Sequence, residues 1–301
     1  MQSLEAIKQG VLDGNFLMLA KAVSFIENET TGTDIFLQTL HPTNTPIIGV
    51  TGPPGAGKST LISELIRAWV HQDKKIAVLS VDPSSPFHQG ALLGDRIRMK
   101  DWYLHPNVFI RSLASRGHLG GLNSSIIELT CLLQSVGFDY IIVETVGVGQ
   151  SEVEIAALAD TTIVVLVPEA GDAVQMMKSG LMEVADLFVV NKSDRPDAAT
   201  FAHHIEQMLM DNMQSDRLPK VIQTVATQGT GMNELALAIE AENANAKKED
   251  RLLYLNMHKL IQLIIAQSIK GLDRKAILTK LKLEMQAPNF NIFAFAQQFL
   301  V

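Results

Sequence analysis

The sequence holds a single cysteine, and that scarcity removes two classes of protein at once. No intrachain disulfide can form, so a stapled secreted scaffold is excluded, and a cysteine-rich zinc centre has no ligands. Cys131 sits in "ELTCLLQSVG". Its apolar helical neighbours predict a buried thiol in a cytosolic or organellar-matrix chain, and a cytoplasmic location is the expectation. Long hydrophobic runs are also missing. The longest, such as "IVVLV", fall far short of a bilayer, so no membrane partner is expected. Basic excess is absent too: 25 Lys and Arg against 32 Asp and Glu leave a net charge of −7, which argues against nucleic acid as a partner. The eight histidines offer the adjacent pair His203 and His204 instead of an i, i+4 pair, so no zinc set is expected. The opening "MQSLEAIKQGVLDGN" carries acids and lacks both a basic start and an apolar core, so no signal peptide is expected.

What is present is enough for one large α/β domain with appendages, or two small domains, in 301 residues. Residues 1–45 read as an N-terminal helical segment interrupted near "DGN", with Phe16, Leu19, Val23 and Ile26 recurring as an apolar stripe. "TGT" and "HPTNTP" break that pattern. Residues 46–240 alternate short β-branched runs with helical stretches. The candidate strands are "IIGVTG" (47–52), "KIAVLSVD" (75–82), "NVFIRSL" (107–113), "DYIIVET" (139–145), "TTIVVLVPE" (161–169), "LFVVNK" (187–192) and "KVIQTVA" (220–226). Near-continuous apolar strands separated by helices predict a mostly parallel sheet covered on both faces. Residues 241–301 form a helical arm, polar at first and then densely apolar in "LLYLNMHKLIQLIIA", with Phe290, Phe293, Phe295 and Phe299 near its end. So much apolar surface must pack on its own core or on another chain, and a homodimer is the expectation.

Chemistry concentrates in two motifs. "GPPGAGKS" runs from Gly52 to Ser59 between a predicted strand and the predicted helix "STLISELIRAWV". That is the context a phosphate loop needs: successive backbone N–H groups cradle phosphate oxygens, and glycine permits their close approach. Gly52, Pro53, Pro54, Gly55, Ala56, Gly57, Lys58, Ser59 and Thr60 are the candidate phosphate binders. Lys58 is expected to reach the β- and γ-phosphates and Ser59 to ligate Mg²⁺. "NKSD", residues 191–194, closes the strand "LFVVNK". A carboxylate that accepts from both N1–H and the exocyclic amine selects guanine, since adenine lacks that donor pair. Asp194 takes this role, Asn191 ties the loop, and the Lys192 stem packs on the base. "VATQGTG" follows on the next strand, and its Val225, Ala226 and Thr227 are further candidate nucleotide-binding residues. GTP and GDP are therefore the expected ligands.

Acids at strand ends supply the candidate metal side. Glu144 ends "DYIIVE", where a metal-linked acid should sit beside Lys58. The alternative is an unremarkable surface acid at a strand end. Gly147 can contact the γ-phosphate, and no Gln follows it directly to organise an attacking water. Asp82 ends the second strand and is a candidate ligand of a magnesium-bound water. Asp95 is a candidate metal-linked or water-orienting acid, or else an ion-pair partner of Arg96 and Arg98. "EAGDAVQMMKSG" spaces Asp172, Gln175 and Lys178 three apart, so on a helix they share a face, either as a sensing surface or as a solvated helix start. "SRGHLGGL" is either a switch segment or a simple turn.

These stretches together resemble the MeaB/ArgK family, GTPase chaperones of adenosylcobalamin-dependent acyl-CoA mutases such as methylmalonyl-CoA mutase. The resemblance rests on "GVTGPPGAGKSTL", "AVLSVDPSSP", "LGDRIRM", "RSLASRGHLGGL", "VETVGVGQSE", "LMEVADLFVVNKSD" and "GTGMNEL", across roughly residues 47–235. It implies a P-loop fold with N-terminal helices and a C-terminal helical dimerisation arm. It carries Lys58, Ser59, Asp82, Asp95 and Glu144 over as phosphate- and Mg²⁺-site residues, with Lys58, Asp95 and Glu144 serving catalysis. Asn191, Lys192 and Asp194 carry over as guanine readers, and the segment with Asp172, Gln175 and Lys178 as a switch loop facing the mutase. A cobalamin-loading adenosyltransferase is a second partner the resemblance allows. The sequence departs from the family pattern at Ala91, Ala173 and Val225. Two rivals stand beside this reading: a kinase of a transport component, and a nucleotide-dependent interaction module with negligible turnover.

Overall fold

The structure is a computed structural model. It describes residues 4–82, 99–114, 123, 125–145, 151–168, 181–212, 218–244, 248–269, 272–285 and 292–299. The chain divides into two compact units, Met1–Glu249 and Asp250–Val301.

The first unit is built on a seven-stranded sheet. Its strands are β1 (Ile47–Thr51), β2 (Ile76–Asp82), β3 (Val108–Ala114), β4 (Tyr140–Glu144), β5 (Thr161–Leu166), β6 (Leu187–Asn191) and β7 (Lys220–Thr224). The order is β3-β2-β4-β1-β5-β6-β7, and every pairing between these strands is parallel. All seven runs anticipated from the sequence are strands, with ends trimmed by a residue or a few. Parallel pairing throughout follows from helical crossovers, and it explains why β1, β5 and β6 are buried at every position.

Alternation of side chains along the strands divides the core in two. Ile48, Val50, Val78, Ile142, Ile163 and Val165 point to one face, which α4 (Lys58–Val70) covers with Leu61, Ile62, Leu65, Ile66 and Trp69. α9 (Met232–Asn243) adds Leu235 and Ile239 to the same core. Ile47, Ala77, Leu79, Ile141 and Val143 point to the other face, against α2 (Phe16–Glu27), α5 (Ile126–Gln134) and α6 (Ser151–Ala156). A third cluster joins Val164, Leu166, Phe188 and Val190 to α7 (Leu181–Val184) and α8 (Ala198–Asn212). Tyr140 stacks on Trp69 with ring centroids 4.4 Å apart. Burial first, then the nearby Glu240 and Asp139 charges, raises its phenol pKa above the usual value.

The N-terminal helices belong to this unit. α1 (Leu4–Leu12) leads through Asn15, whose side chain caps α2 by accepting from the Leu17 and Met18 N–H groups at 2.9 and 3.2 Å. The expected stripe packs inward: Leu19, Val23 and Ile26 are fully buried, and Phe16 meets Phe109 and Phe138. One element departs from expectation. α3 (Thr33–Gln38) forms where "TGT" reads as a break. Gly32 takes a left-handed conformation before it, Thr33 Oγ1 donates to the Thr30 carbonyl at 2.6 Å, and Phe36 is buried. Tertiary burial of one ring decides this turn, not helix propensity. Cys131 is only half-buried, because it lies off the stripe of Leu129, Leu132 and Leu133 that faces the sheet.

The second unit contains α11 (Arg274–Glu284), α12 (Ile292–Gln297) and most of α10 (Lys248–Ile269). Within it Phe295 is buried and packs edge-on to Phe299 at 5.1 Å. No helix among the described residues is long and apolar enough to cross a membrane.

Candidate active site

The sheet delivers the functional side chains to one edge. In a parallel sheet all carboxyl ends point the same way, and the strand order switches direction beside β1, which is flanked by β4 and β5. Buried polar side chains gather at these ends: Thr51, Lys58, Ser59, Ser80, Glu144, Thr145, Asn191 and Thr224. Buried polar groups are costly unless paired, so such a gathering marks a site or a polar network that supports one.

The phosphate loop leaves β1 through three glycines with positive φ, Gly52 at 132°, Gly55 at 80° and Gly57 at 93°. At Gly52 a Cβ would fall on the Val165 carbonyl oxygen, and at Gly57 on the Asn191 amide. Only glycine fits both the dihedral and the space. Ala56 is buried in the core, Pro54 and Gly55 are exposed, and Pro53 and Thr60 are half-buried. Lys58 Nζ donates to the Gly52 and Pro53 carbonyls at 2.8 and 3.2 Å. The ammonium is thus held inside the loop whose amides would cradle phosphate.

Glu144 meets this loop from β4. Ser59 Oγ donates to Glu144 Oε1 at 2.9 Å, and Ser80 Oγ, on β2, donates to Oε2 at 3.2 Å. Glu144 is 4% exposed, so the surface-acid alternative does not describe it. Beside it the Thr51 and Thr145 hydroxyls share a bond of 2.8 Å, tying the root of the phosphate loop to the end of β4. Asp82 closes β2, its Cα in register with Ala114.

The "NKSD" loop reaches the same place from β6. Asn191 Nδ2 donates to the Ala56 carbonyl at 2.8 Å, while its Oδ1 accepts from Thr224 Oγ1 at 3.1 Å and from the Ala226 N–H at 3.2 Å. Lys192, at φ 60°, extends Nζ to the Gly55 carbonyl at 2.8 Å. The left-handed turn at Lys192 lets consecutive side chains grip the loop from one strand end. Asp194 is exposed and has no hydrogen-bond partner among the described residues, which leaves its acceptors available to a base. Val225 is buried and its N–H donates to the Thr230 carbonyl at 3.1 Å, which closes the turn Ala226–Gln228 with Thr227 exposed at its crown.

Asp95, Gly147, Asp172, Gln175 and Lys178 lie outside the described residues, as do Ala91, Ala173 and the "SRGHLGGL" stretch. Among the described residues no three His, Cys, Asp or Glu side chains cluster as a metal site. Ser80, Thr51, Thr145 and Thr224 join the network without having been singled out in the sequence. The one available signal was a polar Ser80 inside the apolar run of β2.

The parallel sheet and the glycine-rich loop that leads from β1 into α4 define a P-loop nucleotide-binding fold. A family model described as Methylmalonyl Co-A mutase-associated GTPase MeaB matches residues 19–268, and the chain belongs to that family of GTPases. GTPase ArgK of Escherichia coli is 42% identical over 201 residues, 65% of this chain and 61% of its own. A Pyrococcus horikoshii protein assigned as a GTPase is 43% identical over 241 residues, 78% of this chain and 76% of its own. The mouse protein called methylmalonic aciduria type A homolog, mitochondrial, is 34% identical over 253 residues, 77% of this chain and 61% of its own. A solved structure titled LAO/AO transport system kinase superposes with a TM-score of 0.69 at 26% identity, covering 98% of this chain and 96% of that one.

Proposed function

We propose that this GTPase is Mg²⁺-dependent, works in the cytoplasm, and gates cobalamin loading or protection of an adenosylcobalamin-dependent acyl-CoA mutase of the methylmalonyl-CoA type. The observation that carries the reading is the meeting of Lys58, Ser59 and Glu144 with the Asn191–Asp194 loop at one sheet edge, in a family named for its mutase association. A kinase would require a phosphoryl acceptor and usually takes ATP; the free Asp194 carboxylate favours guanine.

The donor set suits Mg²⁺. Ser59 and Glu144 offer hard oxygen atoms at the phosphate end of the sheet, and this cation takes one or two carboxylates alongside phosphates and waters. When bound, Mg²⁺ would supply neutralisation of charge on the phosphate oxygens. The chain's own residues do the rest. Lys58 exchanges its carbonyl partners for the β- and γ-phosphates, backbone N–H groups of Gly55 to Ser59 hold the same oxygens, and Asp194 fixes the base. Glu144, with Asp82 and Asp95, serves the metal side. With no Gln directly after Gly147, the attacking water is poorly ordered and intrinsic hydrolysis is expected on the ~10⁻⁴ s⁻¹ scale of unassisted GTPases.

That slowness motivates the partner test. If the segment with Asp172, Gln175 and Lys178 has two arrangements, a mutase that prefers one must shift nucleotide affinity or turnover. An acyl-CoA mutase from the same source should raise the GTPase rate about tenfold or more, ~1.4 kcal/mol in barrier. Lys178→Ala should blunt that rise while leaving GDP affinity nearly intact. A phosphate-release titration decides it, and equal stimulation of both proteins would remove this segment from the coupling. A cobalamin-loading adenosyltransferase is a further partner of the same chemistry.

A homodimer is part of this proposal. Leu253, Met257, Leu260, Ile261, Ile264 and Ile265 are all exposed on α10 at spacings of three and four, an apolar stripe that suits a second copy. Sedimentation of a chain ending at Glu249 should show a monomer. A well-folded dimer lacking the arm would rule the stripe out as the interface.

A further inference from the structure

We infer that Ser80 is a positioning residue for Glu144, holding the carboxylate in the orientation the metal side of the site requires. The inference rests on the proposed reading of Glu144 as the metal-linked acid.

Glutamate has one more rotatable bond than aspartate, so a Glu at the end of β4 needs more external restraint to present a fixed carboxylate edge. Two hydroxyls supply restraint, one at each carboxylate oxygen. Ser59 Oγ donates to Oε1 at 2.9 Å and Ser80 Oγ to Oε2 at 3.2 Å. The two bonds are not equivalent. Ser59 is the first-turn hydroxyl of α4 and is itself a candidate metal ligand, so its bond to Oε1 would give way if it took that role. Ser80 sits in the interior of β2 with its Cα in register with Glu144 across the parallel pair. Its position is therefore set by the sheet and not by the phosphate loop.

Burial makes the hydroxyl's choice of partner consequential. Ser80 is 1% exposed in a strand otherwise rich in Ile, Ala, Val and Leu. A hydroxyl there must bond or pay desolvation, and the bond it makes is to an acid 64 positions away. Partners behind a metal ligand orient that ligand and tune affinity without touching the metal. The Ser80 hydroxyl carries no charge, so its effect is on orientation and not on the net charge of the site.

The test is a titration of fluorescent GDP against wild type, Ser80→Ala, Ser80→Thr, Ser80→Cys and Glu144→Gln, across MgCl₂ concentrations and in EDTA. Ser80→Ala should raise the Mg²⁺ concentration needed for half-maximal tightening by about tenfold, the low end for partners behind a metal ligand. GDP affinity in EDTA should match wild type. Ser80→Thr keeps the hydroxyl and should restore most of the Mg²⁺ response, whereas Ser80→Cys keeps the volume with a weak donor and should resemble Ser80→Ala. If Glu144→Gln shifts the Mg²⁺ response and Ser80→Ala does not, the positioning role is overturned while the reading of Glu144 stands. Equal losses in the alanine and threonine variants would assign Ser80 to packing and overturn it as well. An unchanged response in Glu144→Gln would remove the metal-side reading and this inference with it.

Discussion

Lys58→Ala is expected to lower GTP turnover by roughly 10²–10³-fold or more, the loss that follows removal of one donor aimed at developing charge. Lys58 is 7% exposed, and its ammonium is held by two carbonyls of the loop itself. That arrangement holds the cation within the loop proposed to cradle the β- and γ-phosphates. Alanine at this position suits the start of α4, whose packing through Leu61, Leu65 and Trp69 is independent of the lysine. The fold should therefore persist, as circular dichroism would check. Single-turnover phosphate release measures the effect. A variant within tenfold of wild type would show that charge stabilisation resides elsewhere.

Asp194→Asn is expected to weaken GDP binding by about 10²-fold and to shift preference toward xanthine nucleotides. Asparagine keeps one acceptor oxygen but loses the charge and sets a donor against one of guanine's two donors. A hydrogen bond to a charged group is worth about 1.5–3 kcal/mol, with exposure reducing the total. Asparagine presents an N–H donor where the xanthine C2 oxygen needs one. The side chain is exposed and has no partner among the described residues, so the substitution disturbs no packing. Its effect should be confined to base choice. Competition of GDP and XDP for both proteins reads the switch directly, and unchanged selectivity would separate Asp194 from the base.

The fold was legible in the sequence to an unusual degree because parallel strands buried on both faces write themselves as short β-branched runs. The seven runs emerged as strands for that reason. α3 was not legible, since its six residues fold for the sake of Phe36 burial and follow a glycine that usually ends helices. The loop glycines and the Asn191–Asp194 stretch were visible as motifs because their spacing is local. What joins them was not. The contacts of Glu144 to Ser59 and Ser80, of Thr51 to Thr145, and of Asn191 to Ala56 and Thr224 depend on strand order and register between segments tens of positions apart. A pattern of apolar residues fixes which face a side chain takes, but neighbouring strands are chosen by the whole sheet. The half-buried Cys131 makes the same point at small scale: local apolar neighbours do not reveal which residues of a helix face the sheet.

Displacement of fluorescent GDP in the presence of Mg²⁺ tests the proposed guanine-selective hydrolase site most directly. Unlabelled GTP should displace the probe stoichiometrically with site occupancy, and ATP should leave it bound at concentrations where GTP displaces it completely. Equal displacement by ATP and GTP would contradict the account.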